Sequence, residues 1–188
     1  MISLTEVLKN LITLDDVIKL SAEDIIEQIS IRLYEKENSH LRDNEVFSKM
    51  PTVLKDIILI IDFDTELNMN GILGFLENST GLFLDETILA LERIRAFEDF
   101  IVLKKIKDIL RKYRVSTHDL RENVNKGDLS DISSFSKTHG AEYDEMTKAI
   151  GVEAEKLYLY NDFMKIFDYL TEYVEKSKTL LQEDLIKL

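Results

Sequence analysis

One proline and six glycines in 188 residues leave this chain almost without backbone breakers. Strand-rich domains need turn residues at short, regular intervals, whereas long helices exclude them. The sequence therefore predicts an all-α fold: a single-domain, multi-helix bundle of about eight to ten helices. Apolar residues make up 45% of the chain, enough for a substantial core.

The segment ILIIDFDTEL, residues 58–67, tests that expectation. Four apolar residues lead into Asp62-Phe63-Asp64-Thr65. A strand ending there would resemble a phosphatase loop, with one carboxylate attacking phosphorus and the other moving a proton. On a strand, Asp62, Asp64 and Glu66 would point the same way. On a helix, steps of two residues rotate by about 200°, and the carboxylates diverge. Leu54, Ile57, Ile58, Ile61 and Thr65 share one helical face, and no second β-α unit follows. We read the stretch as a central helix entered through Pro51. A phosphate hydrolase using Asp62 and Asp64 is kept only as an alternative.

Around that helix, Thr13 and Ser21 are expected helix caps, Ser21 with Asp24 three residues on. Residues 35–44 are polar and expected to be a loop. Residues 1–38 then form an N-terminal helical arm packed on a main helical domain, 39–188. Asp85 is the expected cap of a long segment that breaks near Ala96 and Phe97. Ser116 starts a short helix, residues 125–140 read as loop, and the following helix is expected to close at Gly151. The C-terminal stretch is amphipathic, with Phe163, Ile166, Phe167, Leu170, Val174 and Leu181 on one face.

Catalytic signatures are sparse. No cysteine is present, which excludes disulfides and thiolate chemistry. His40, His118 and His139 form no zinc-binding spacing with one another. Neither phosphate-loop motif occurs, and no serine sits in a nucleophile elbow. No catalytic residue, cofactor site or metal site is assigned, and the chain is expected not to be an enzyme. The N-terminus does not read as a signal peptide, and no run is long enough for a membrane span, so a cytoplasmic protein is expected.

Charge is more informative. The formal net charge is −12. Residues 1–80 carry −8 and residues 116–188 carry −6, while residues 81–115 carry +2. Such a chain repels nucleic acid and attracts basic partners. The basic run 104–114 reads as a solvated helix face. Asp168, Glu172 and Glu175 are spaced i, i+4, i+7, a strip of carboxylates about 5–6 Å apart on a helix. That spacing is close to the spacing of phosphates along a DNA strand. With Asp15, Asp16, Glu23 and Glu27, these are the candidate partner-binding residues.

The segment Glu66-Leu67-Asn68-Met69-Asn70-Gly71, followed by Phe75 and by Asn78-Ser79-Thr80-Gly81, resembles the bacterial DNA-mimic protein family. Ala90-Leu91-Glu92-Arg93-Ile94-Arg95-Ala96 fits the helix that follows in that family, and the resemblance runs over roughly residues 30–180. Asn70 stands where the family has the first glycine of a pair, and Ile72 where it has an aromatic residue. The resemblance implies an acidic, all-α, dimeric protein. It would occupy a DNA-binding protein through its basic surface, without touching nucleic acid or membrane. An immunity protein that neutralises a cognate toxin is the alternative. Glu66, Asn68, Asn70, Gly71, Phe75, Asn78, Ser79 and Gly81 are then expected to be a structural corner.

Overall fold

A computed structural model describes residues 4–126, 140–160 and 165–188. Those residues form ten α-helices and three short 3-10 segments, with no strand among them. The helices are α1 (Leu4–Leu11), α2 (Leu14–Lys19), α3 (Ala22–Arg32), α4 (Asn44–Lys49), α5 (Thr52–Glu77), α6 (Leu84–Arg93), α7 (Phe97–Lys112), α8 (Thr117–Lys126), α9 (Ala141–Ala154) and α10 (Ile166–Ile186). The all-α expectation holds.

The chain divides into two compact units, one of Met1–Ile61 with Ile166–Leu188, the other of Asp62–Lys165. The first unit contains the whole stretch 1–38 together with α10.

In the first unit, α10 packs on α2 and α3, and α1 on α3. Two capping boxes set the helix starts. Thr13 and Asp16 cap α2, and Ser21 and Asp24 cap α3, each side chain satisfying the other's backbone N–H. Lys178 on α10 donates to the Leu20 carbonyl at 2.6 Å, a cation closing the C-terminal end of α2. Val53, Leu54, Ile57, Ile58 and Ile60 are fully buried, as are Ile166, Leu170, Val174 and Leu181 on α10. Each such side chain contributes about 1.5–3 kcal/mol by leaving water. Phe163 lies outside the described residues.

The polar stretch 35–44 is not a loop. Lys36–Arg42 is a 3-10 segment, because Asn38 and Leu41 are both buried. The Asn38 amide donates to the Arg32 carbonyl at 2.9 Å and ties the segment to the end of α3. Its polarity comes from the outward residues and from Asn38, which is buried but hydrogen-bonded.

In the second unit, α6 and α9 both pack on α7, and α8 meets the 3-10 segment Ser79–Phe83. The break near Ala96 occurs as expected, with Arg95 at φ 67 between α6 and α7. Two details differ from expectation. Phe83, not Asp85, holds the cap position of α6 without a side-chain cap, since Asp85 is already inside the first turn and pairs with Lys107 at 2.5 Å. The helix expected to close at Gly151 continues to Ala154, because Ala154 is buried and Gly151 keeps helical geometry. Of the expected loop 125–140, residues 127–139 lie outside the described ones.

Candidate protein-binding face and structural corner

The Glu66–Gly81 corner is built by the backbone first. Gly71 has φ 66 and ψ −175, a region that only glycine occupies readily, and this interrupts the helical run of α5. Asn70, the residue standing at the family's other glycine position, keeps negative φ. The Glu66 carboxylate then accepts from the side-chain amides of Asn70 at 2.9 Å and Asn78 at 2.7 Å. Asn68 donates to the Asp64 carbonyl at 2.8 Å. Phe75 meets the edge of Phe63 with ring centroids 5.0 Å apart. A Cβ on Gly81 would stand 2.5 Å from the Leu76 carbonyl oxygen, so the chain turns there only without a side chain. Ser79 is exposed.

The Asp62/Asp64 pair occupies helix, not a strand end. Asp62 is buried, while Asp64 accepts the Tyr158 hydroxyl at 2.6 Å. Tyr158 also donates its backbone N–H to Asp99 at 2.9 Å. Burial pushes the Asp99 carboxyl up to about 6, against the pull of that N–H. The Tyr158 phenol is raised too, by burial and then by Asp64, which keeps it a donor. Tyr143 behaves alike, donating to Glu77 at 3.1 Å. The sequence reading missed these tyrosine–carboxylate contacts. Their signal was an acidic residue inside an otherwise apolar run, matched by tyrosines in the amphipathic stretches downstream.

The histidines are surface groups where they are described. His40 pairs with Asp43 at 2.9 Å and His118 with Glu122 at 3.4 Å. His139 lies outside the described residues. Among the described residues no cluster of three or more His, Asp or Glu is arranged to hold a metal ion. No described helix is long and apolar enough to cross a membrane.

The candidate partner-binding carboxylates all lie in the first unit, and the structure gathers four of them. Glu23 from the first turn of α3 and Asp168, Glu172 and Glu175 from α10 line one open groove, with Ser21, Ala22, Thr171 and Lys176. The Ser21–Asp24 capping box fixes the helix start and turns Glu23 outward. Lys176 pairs with Glu172 and dilutes the strip. Glu27 lies on the other flank of α3, in a second groove with Leu20, Asp24, Gln28, Ile31 and Arg32.

The two α2 carboxylates join neither groove. Asp15 pairs with Lys19 at 2.7 Å on the open surface. Asp16 holds the α2 cap and accepts from Gln28 at 3.0 Å. The Thr13 hydroxyl holds its carboxyl below the usual range, with smaller help from the Thr13 backbone, Gln28 and Arg32.

The basic run is largely paired or stacked. Lys105 meets Glu153 at 3.3 Å, Lys107 meets Asp85, and Arg111 meets Asp108 at 3.5 Å. Lys104 lies over the Phe100 ring and Lys112 over Tyr113.

No curated protein and no solved structure matches the chain. A family model described as DMP19-like protein matches residues 48–177, more than two-thirds of the chain. The matched span includes α5, the Glu66–Gly81 corner, the α6–α7 pair and the first half of α10. The chain belongs to the DMP19-like family of DNA-mimic proteins.

Proposed function

We propose that this protein acts without catalysis, by presenting a carboxylate-lined helical face to a basic surface that otherwise holds DNA. Family membership gives the direction. The observation that carries it to particular residues is the groove of Glu23, Asp168, Glu172 and Glu175. Two helices fixed against each other carry those carboxylates, so little backbone ordering is needed on binding. The net charge of −12 adds long-range attraction to a basic partner and repels free nucleic acid.

The test is capture of partners from native lysate at low salt, with elution by a salt gradient. A DNA-binding protein that elutes early and is displaced by added duplex DNA supports the proposal. A single partner that resists both salt and DNA would instead mark an immunity protein bound to its toxin.

A further inference from the structure

The second unit carries a surface of different chemistry. At about 100° per residue, Phe97, Ile101, Lys104, Asp108 and Arg111 fall on one outward stripe of α7. The first half of the stripe is apolar: Phe97 is 53% and Ile101 49% exposed. Leu89 on α6, 48% exposed, lines the adjoining groove with Phe100, Lys104 and Arg111. The second half is cationic. Lys104 and Arg111 are both exposed, and the acid between them, Asp108, pairs with Arg111 at 3.5 Å. An exposed pair of this kind is worth little and exchanges readily for another carboxylate. The remaining acids of the groove, Asp85 and Glu92, stand on its α6 wall, and Asp85 is already paired with Lys107.

The two ends of α7 hold a second observation. Arg95 and Arg114 flank the helix at φ 67 and 56. A Cβ disfavours that backbone, and glycine would make both turns without the clash. Both side chains are exposed, and among the described residues neither meets an acid. The fold thus bears a backbone cost at both positions and obtains no ion pair from either guanidinium. Strain that serves no contact within the fold points to a contact outside it.

We infer that the outward face of α7 binds an acidic segment of another protein that also carries apolar side chains. Phe97, Ile101 and Leu89 receive the apolar side chains. Lys104, Arg111 and Arg114 receive carboxylates along the second half of the helix, and Arg95 receives one at the other end. The argument is charge complementarity joined to the apolar half of the stripe: a ligand that satisfies both must itself be acidic and apolar. Exposed aromatic and arginine side chains are also the usual anchors of a protein contact. Duplex DNA and anionic bilayers are extended anionic bodies, and the net charge of −12 opposes their approach. A short segment meets this face alone. The inference is independent of the carboxylate groove in the first unit, which would take a basic surface.

The experiment displays random peptides of the length of α7 and selects them on the full chain. Enriched peptides should combine Asp or Glu with Leu, Ile or Phe. A synthetic, fluorescent copy of the most enriched sequence is then the probe, its affinity read by anisotropy. Lys104→Glu with Arg111→Glu should weaken its binding at least about tenfold. Ile101→Ser, at a half-exposed position, should weaken it without changing a charge. Arg95→Gly with Arg114→Gly separates binding from folding. It should weaken binding at least about threefold while melting at or above the wild-type temperature, a split that damage to the fold cannot produce. A selection that enriches basic peptides, or none, overturns the inference. So does a peptide whose affinity is unchanged in the charge-reversed or the glycine variant. A glycine variant that melts lower than wild type also overturns it, since the arginines would then serve the fold. Duplex DNA or phosphatidylserine vesicles that bind more tightly than the peptide, and lose binding in the same variants, would replace it with a nucleic-acid or membrane surface.

Discussion

Tyr173 on α10 donates its hydroxyl to Asp56 on α5 across 2.7 Å, and Asp56 is fully buried. It is one of three such contacts on α5, with Tyr158 to Asp64 and Tyr143 to Glu77. Of the two acids of α5 that invite a catalytic reading, Asp64 is thus the acceptor of a downstream tyrosine, and Asp62 is buried in the helix. A buried carboxylate is costly unless hydrogen bonds stabilise it, so its donors hold the helices in register.

Removing the hydroxyl should show this directly. Tyr173→Phe takes one donor from a carboxylate with no exposure, and we expect a loss of about 1–3 kcal/mol. Tyr158→Phe should cost less, about 0.5–1.5 kcal/mol, because Asp64 is partly exposed and still accepts from Asn68 at 3.0 Å. Urea unfolding of both variants gives the order. A Tyr158→Phe loss larger than that of Tyr173→Phe would refute this account.

Much of the fold was legible in the sequence, for identifiable reasons. Scarce breakers and the periodicity of 53–65 mark α5, and the Ser/Thr-x-x-Asp spacings mark the starts of α2 and α3. Lys36–Arg42 was not legible, since seven largely polar residues conceal that Asn38 points inward. The candidate site was half legible. The i, i+4, i+7 strip is visible in one helix, but that Glu23 joins it depends on the packing of α3 against α10. The loss of Asp16 to the α2 cap is equally a tertiary and local outcome, through Gln28 and Thr13.

Asp99 should make stability depend on pH in an unusual direction. Its folded-state pKa of about 6 lies above the ordinary carboxylate value of 3.8. The folded state therefore holds the proton more tightly than the unfolded chain. The contribution is fully present below pH 3.8 and is lost as pH rises through about 6. Asp99→Asn keeps an acceptor for the Tyr158 N–H and removes the charge. We expect it to be more stable than wild type at pH 7.5, by on the order of 1–3 kcal/mol, with the gap closing towards pH 4. Equal unfolding midpoints at pH 7.5 would contradict the assignment.

Backbone conformation gives predictions of opposite sign. A Cβ on Gly71 meets nothing within 4 Å, so Gly71→Ala tests conformation alone, at a cost of about 1–3 kcal/mol. Arg95 and Arg114 hold left-handed conformations, at φ 67 and 56, just after α6 and α7. The N–H of Ala96 reaches the Leu91 carbonyl, and that of Val115 reaches the Leu110 carbonyl, both at 3.0 Å, the pattern of a helix closed by a left-handed residue. Glycine adopts that conformation without the Cβ clash. Arg95→Gly and Arg114→Gly should each therefore stabilise by about 1 kcal/mol or less. Thermal melts of the three variants separate the signs. Destabilisation by both arginine replacements would show that the side chains contribute more than the backbone costs.

The acidic groove yields the prediction closest to function. Glu23 and Glu175 are both exposed and sit on different helices facing one groove. Reversing Glu175 should leave unfolding within about 0.5 kcal/mol of wild type, as surface substitutions usually do, while Glu23→Lys, in the first turn of α3, should cost about 1 kcal/mol through the helix dipole. Glu23→Lys with Glu175→Lys should weaken capture of a basic partner at least about tenfold at low salt and flatten its dependence on salt. The control is Asp15→Lys, whose wild-type carboxylate pairs locally with Lys19 and lines neither groove. That variant should retain most of the binding. If Asp15→Lys weakens capture as much as Glu175→Lys alone, an equal change of charge, then net charge alone drives association, and the arrangement of Glu23, Asp168, Glu172 and Glu175 confers no specificity.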